Sequence, residues 1–307
     1  VSGPVVVLAG GTGGAKLARG MLDVVGSESL VTIANTGDDI EIYGAYVSPD
    51  PDLVTFWLAD RIDERGWGLA GDTFHVMDGL KSMNVDVWFN LGDRDLAIGL
   101  ERARRLQQGE RLTAAHAAIT RALETPGTVL PMCDEPVRTR VLAQDRWWPF
   151  QEYMIRAGGA DAKAGPVQDV DFRGAGSARP TAEVLNAIAT ARAIIIGPSN
   201  PVISLGPILA VTGMKQALTE ARAPIVAVSP LVAGEVVKGP TAAFMHFAHL
   251  PVDTDGIATY YADLIDGLVA DQRTERTAVL ETDVLMATPE ARRRVAEETL
   301  KFALALG

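Results

Sequence analysis

Two acidic pairs, Asp38-Asp39 and Asp50-Pro51-Asp52, lie close together in the first sixth of the chain. A hard cation such as Mg2+ takes one or two carboxylates and completes its shell with phosphate oxygens and water, so either pair could serve one. Helix capping competes for any single aspartate, since Asp50 and Asp52 precede the apolar residues 53–58. Upstream, Gly10-Gly11-Thr12-Gly13-Gly14-Ala15-Lys16 offers backbone amides at a helix N-terminus, where the dipole favours an anion. It is not a dinucleotide fingerprint, because Lys16 stands in place of the third glycine and the next strand ends in Asn35 instead of an acidic ribose binder. Nor is it a P-loop, since no Gly-Lys-Ser/Thr follows. A tight strand-to-helix turn is the plain alternative.

Further along, Leu91-Gly92-Asp93-Arg94-Asp95 follows apolar residues 85–89, read as a strand. Arg94 there either makes local ion pairs or donates its planar fork to a phosphate or ring carbonyl. The cluster Trp147, Trp148, Phe150 and Tyr153 either stacks on a flat heterocycle or fills core. Gly197-Pro198-Ser199-Asn200-Pro201 could present backbone and small polar groups to a nucleotide, or form a rigid turn. Cys133 has no neighbouring histidine to activate it, and His75, His116, His246 and His249 form no metal-binding pair pattern.

Most of these motifs sit where an apolar run stops. Residues 5–9 lead into the glycine turn and then into a stretch whose Leu17, Met21 and Leu22 share a helical face. Residues 30–34 end at Asn35-Thr36-Gly37-Asp38-Asp39, residues 193–196 at Gly197, and residues 224–228 at Ser229-Pro230. Four such runs with helical stretches between them predict a doubly wound α/β core. Its mostly parallel, Rossmann-like sheet would turn its carboxyl-end loops toward one crevice. The reading places the nucleotide- and metal-binding core at 1–104 and 191–307. Residues 105–190 are then a largely helical insertion or lid with some β-rich pieces and an exposed loop at 157–165. Thr288 and Pro289 read as the cap and first residue of a last helix.

With 307 residues, 48% apolar and 22% charged, the chain can bury one large core. Its net charge of −11 argues against a nucleic-acid or anionic-membrane surface and leaves small molecules as the expected partners. A single cysteine allows no internal disulfide and no thiolate zinc site, so a metal must be held by oxygen, and a reducing cytoplasm is the expected compartment. There is no apolar run of about 18 residues, and residues 1–4 lack the basic start of a signal peptide. Val1–Gly3, with no initiator Met, reads as an expression remnant.

Taken in order, the motifs already named, with Ser48-Pro49-Asp50-Pro51-Asp52, Arg65-Gly66-Trp67-Gly68, Phe150-Gln151-Glu152-Tyr153 and Ser204-Leu205-Gly206-Pro207-Ile208, resemble the 2-phospho-L-lactate transferase family (CofD, with its actinobacterial relative FbiA). That resemblance implies a Mg2+-dependent transfer from a lactyl-, enolpyruvyl- or glyceryl-diphosphoguanosine to the ribityl hydroxyl of the deazaflavin Fo. GMP would be released in a step of coenzyme F-420 biosynthesis carried out by a cytoplasmic homodimer. It further implies Asp38 and Asp52 as metal ligands. Asp50, Asn90, Arg94 and Gln151 would contact Fo, and Gly10, Gly11, Thr12, Gly13, Lys16, Asn35, Ser199 and Asn200 would border nucleotide and phosphate. Asp50 is the expected base and Arg94 the expected charge-spreading donor. Two departures stand out: Asp50-Pro51-Asp52 replaces the family's Asp-Leu-Asp, and Leu96-Ala97-Ile98 replaces Ala-Thr-His. A rival resemblance, to YvcK-like nucleotide-sugar-binding regulators, covers the glycine-rich start but not the Asp-Arg-Asp or Phe-Gln-Glu-Tyr elements.

Overall fold

Short β-branched runs that are apolar on both faces need cover on both sides, and the chain supplies it. The computed structural model describes residues 3–161, 163–236 and 239–307; Val1 and Ser2 of the expected remnant and residue 162 of the expected loop lie outside it. Seven strands form the central sheet: β1 (Val5–Ala9), β2 (Leu30–Ala34), β3 (Thr128–Pro131), β4 (Ala193–Ile196), β5 (Ile225–Val228), β6 (Gly267–Ala270) and β7 (Ala278–Glu281). Every pairing is parallel, in the order β7-β6-β5-β4-β1-β2-β3. This is the expected doubly wound, Rossmann-like fold, and the winding reverses between β1 and β4. Alternate residues serve opposite faces: Val6, Leu8, Ile194 and Ile196 join one buried cluster, while Val5, Val7, Ala9 and Ile195 join the other.

Seven helices of the first two-thirds matter for the site: α1 (Gly11–Val25), α2 (Pro49–Leu58), α3 (His75–Ser82), α4 (Asp93–Gln107), α5 (Leu112–Ala122), α6 (Phe150–Ile155) and α7 (Ala182–Thr190). Leu17 and Met21 of α1 pack with Val295, Ala296 and Leu300 of the C-terminal helix Pro289–Leu306 over one face of the sheet. That last helix begins as the sequence predicts, with the Thr288 hydroxyl accepting from the Ala291 amide at 3.2 Å.

The stretch 105–190 is not separate from the core, because β3 lies within it and pairs with β2 along the sheet. Beside α5, α6 and α7 it also contains a small antiparallel sheet, Arg138–Ala143 between Arg146–Pro149 and Asp169–Arg173. Val141, Phe150 and Tyr153 pack there against Val202 and Ile203, which follow β4. Within 157–165 the structure differs from the exposed loop expected, since Ala157 and Ala164 are buried in this same cluster. Residues 85–89 are not a strand. They run irregularly, with Trp88 stacked on Phe89 at 5.6 Å and the Phe89 amide donating to the Tyr43 hydroxyl. Asp93 and Asp72 instead cap two helices reciprocally: Asp93 accepts from the His75 and Val76 amides at the start of α3, and Asp72 from the Arg94 and Asp95 amides at the start of α4.

At the reversal point the loops after β1 and β4 touch. A Cβ on Gly13 would lie 1.8 Å from the Pro198 carbonyl oxygen, so a side chain there drives the two loops apart. Gly13→Ala is expected to cost about 3 kcal/mol by overpacking, read by urea denaturation. The control Gly79→Ala, at an open position inside α3, should be neutral or stabilising by about 0.5–1 kcal/mol.

Candidate active site

The crevice at the reversal point is lined by the loops after β1, β2 and β4, the position where open α/β sheets take ligands. Of the first four amides of α1, the Gly11 N–H donates to Asp50 Oδ1 at 2.7 Å and the Gly14 N–H to Ser199 Oγ at 2.9 Å. The Thr12 and Gly13 amides remain as donors for an anion at this positive helix end. Asn200 accepts the Val202 and Ile203 amides with Oδ1, which caps the turn that follows β4. Its Nδ2 is buried with no partner among the described residues, a donor available to a ligand. Lys16 is placed otherwise than the glycine motif implied, with Nζ 5.9 Å from the centre of the Trp57 ring of α2.

One carboxylate ties these loops together. Asp50 accepts from Gly11 with Oδ1 and from Asn35 Nδ2 with Oδ2 at 2.9 Å, while Asn35 Oδ1 takes the Gly37 amide at 2.7 Å. Asn35 is fully buried, so its part is to orient Asp50 and the Gly37 turn. Burial, followed by the charges of Asp50 and Asp39, pushes the Asp38 carboxyl well above the ordinary range against hydrogen bonds from Thr139 and Asn35, and its Oδ1 has no partner among the described residues. Burial likewise pushes Asp50 up to about 6, against the opposing donors Gly11 and Asn35. Asp39 is raised by burial to about 7, with Arg138, Ser48 and Arg102 pulling the other way. The structure thus gathers like charge beside helix amides, an arrangement that favours a bound cation and its anionic ligand.

Asp52, expected beside Asp38, faces elsewhere. Both its oxygens are taken by Arg102, Nη1 to Oδ2 at 3.1 Å and Nη2 to Oδ1, and Nη1 also donates to the Tyr46 carbonyl at 2.9 Å. Residues two apart on a helix point roughly 200° apart, so Asp50 and Asp52 cannot both face the β1 and β2 loops. The carboxylate that accompanies Asp38 is therefore Asp50. Arg102, fully buried on α4, was missed by the sequence reading. A signal existed, since Arg102 falls in step with Leu96 and Gly99 on the buried side of its helix.

The remaining expected contacts lie apart from this cluster. Asn90 and Arg94 are exposed, and Arg94 Nη2 donates to the Gly71 carbonyl at 2.9 Å. Gln151 is half-buried on α6, whose Phe150 and Tyr153 are core, whereas Trp147 and Trp148 lie under Arg140 and Arg146 at 5.0 and 4.1 Å. A cavity of about 620 Å³ lies elsewhere, lined by Tyr43, Tyr46, Leu106 and Leu112 among others, and neither Asp38 nor Asp50 is among its lining residues. Cys133 is buried, which pushes its thiol up to about 12 and rules it out as a nucleophile.

Comparison with known proteins adds independent findings. The family model described as 2-phospho-L-lactate transferase CofD matches residues 5–300. A 2-phospho-L-lactate transferase of Methanocaldococcus jannaschii is 35% identical over 97% of each chain. A phosphoenolpyruvate transferase of Kitasatospora aureofaciens is 38% identical, also over 97% of each. Among solved structures, a UPF0052 family member from Bacillus halodurans superposes with a TM-score of 0.59 at 16% identity, covering 98% of this chain and 99% of its own, a likeness of fold.

Breaking the buried pair with Arg102→Met would leave Asp52 unpaired and should cost about 3–5 kcal/mol, measurable by chemical denaturation. Asp38→Asn should do the opposite in metal-free protein. The folded pKa of Asp38 lies above its unfolded value, so the penalty for its ionisation is in full force above the folded value and fades as pH falls from that value to the unfolded one. The variant should therefore melt higher than the parent at alkaline pH, and the gain should shrink on acidification.

Proposed function

Because this chain belongs to the 2-phospho-L-lactate transferase CofD family, we propose that it transfers a phospholactyl, phosphoenolpyruvyl or phosphoglyceryl group from a diphosphoguanosine donor to the ribityl hydroxyl of the deazaflavin Fo. GMP is released, and the step belongs to coenzyme F-420 biosynthesis. The chain is a transferase by kinship; the observation that carries the finer reading is the pair of buried carboxylates Asp38 and Asp50, which meet only neutral donors among the described residues, beside the Thr12 and Gly13 amides of α1. Relatives named for the lactate and the enolpyruvate groups are 35% and 38% identical, so kinship alone does not choose the donor.

The pair fits Mg2+, which takes one or two carboxylates and leaves its other positions to phosphate oxygens and water. No cluster of three metal-binding side chains occurs among the described residues, and none is needed. Held by Asp38 and Asp50, the ion would offset negative charge on the diphosphate. The Thr12 and Gly13 amides bind its non-bridging oxygens, and Ser199 and Asn200 Nδ2 border the nucleoside side. Asn90, Arg94 and Gln151 orient the acceptor. The acceptor oxygen bonds to phosphorus as the phosphorus–oxygen bond to GMP breaks, in line, with no covalent enzyme intermediate. Asp50, the base expected from the resemblance, takes the hydroxyl proton. No helix of the described residues is long and apolar enough to cross a membrane; a cytoplasmic homodimer completes the proposal.

Incubation with Fo, Mg2+ and each of the three donors, with product masses read, should yield one dominant phosphodiester and GMP. Asp50→Asn should lower kcat by about 100-fold or more, the scale of a lost acid–base group. No product with any donor, or undiminished turnover in the variant, would overturn the respective assignment.

A further inference from the structure

Asp38 and Asp50 come from opposite ends of one β-hairpin. Its strands Ile40–Ile42 and Ala45–Val47 pair antiparallel, and the outermost register is Ile40 with Val47. The next pair outward in that register is Asp39 with Ser48, and there the ladder ends in a side-chain bond: the Ser48 hydroxyl donates to Asp39 Oδ1 at 2.7 Å. Both residues are almost fully buried, at 3% and 1% exposure. Asp38 is one residue outside this closure and Asp50 two, so the bond fixes how far apart the two carboxylates can be.

Ser48 is also the N-cap of α2, where a serine ordinarily accepts an amide of its own helix. Here it makes no such cap. Pro49 and Pro51, at the first and third helical positions, have no N–H to offer, and the Asp52 amide is taken by the Ser48 carbonyl at 3.0 Å, so of the first-turn amides only that of Asp50 is left for a cap. The two prolines thereby release the hydroxyl to reach across the hairpin. Asp39 is further backed by the Arg138 guanidinium, which donates to the Tyr46 hydroxyl at 3.2 Å.

We propose that Ser48 and Asp39 are positioning residues, a latch at the base of the hairpin that sets the Asp38–Asp50 separation and with it the affinity for a divalent cation. The proposal rests on the reading that this carboxylate pair holds the cation. Asp39 acts through Ser48 as an acceptor, so its role needs an oxygen at that position and not a negative charge.

Mn2+ provides a probe that does not depend on turnover, its binding followed by electron paramagnetic resonance and calorimetry on the whole protein. Ser48→Ala should weaken Mn2+ binding about tenfold, the size of one lost charge-assisted hydrogen bond. Ser48→Thr, which keeps the hydroxyl, should restore it. Asp39→Asn, whose amide oxygen still accepts from Ser48, should bind Mn2+ nearly as the parent does. In assays, Ser48→Ala should raise the Mn2+ concentration needed for half-maximal rate while kcat at saturating Mn2+ stays within a few-fold. Parental Mn2+ affinity in Ser48→Ala, or an Asp39→Asn loss as large as that of Ser48→Ala, would overturn the latch. Should Ser48→Ala fail to fold, the contrast of Ser48→Thr with Asp39→Asn still decides, because loss in the second alone means the charge matters. Asp50→Asn is the reference: if it leaves Mn2+ binding intact, the carboxylate-pair reading itself fails, whereas if it abolishes binding while Ser48→Ala does not weaken it, only the latch fails.

Discussion

The constraint on which this molecule turns is the burial of Asp50 against the Gly11 amide and the Asn35 side chain. Those two bonds connect α2 to the loops after β1 and β2 and place a carboxylate near Asp38, whose own charge opposes the approach. Like charges out of water are costly. The parallel sheet offsets that cost by fixing the strand ends in register, Ala9 beside Ala34, so that the loops leaving them cannot drift apart. A site under this kind of tension is where a protein gives up stability for function.

Around the pair, support is uneven. On one side lies rigid structure: Arg102 grips Asp52 and the Tyr46 carbonyl, and Phe150 and Tyr153 seal the small antiparallel sheet onto the residues following β4. The Thr139 amide of that sheet donates to the Gly37 carbonyl, so the stretch 105–190 contributes directly to the aspartate loop. On the other side, Trp67 is 53% exposed, and Asn90 and Arg94 are exposed as well. Reciprocal capping by Asp72 and Asp93 keeps α3 and α4 in step there without filling the space between them and solvent.

Arg102 shows how the fold and the chemistry share one interaction. Its guanidinium satisfies Asp52, which would otherwise be a buried charge without a counter-ion on the other side of α2 from Asp50. Asp50 is thereby the only one of the two α2 aspartates whose carboxylate is met by neutral donors alone. The difference between Asp52 and Asp50, two residues apart, lies in which partner each meets.

Read alone, the sequence determined the class of the fold and the location of the crevice. Apolar runs such as Val5–Ala9 and Ala193–Ile196 stop at glycine, and a strand buried on both faces can be written only in that way. It determined the glycine loop for the same reason, since only glycine permits the approach to Pro198. It did not reveal β3, whose four residues are too few to show a period, or that residues 85–89 stay irregular, because an apolar stretch becomes a strand only if a sheet edge accepts it. Nor could it tell which of Asp50 and Asp52 lies against the β1 and β2 loops, or find Arg102. Which face of α2 meets the loops and which meets α4 depends on how the helices dock, and residues 50 places apart meet only when the chain is folded.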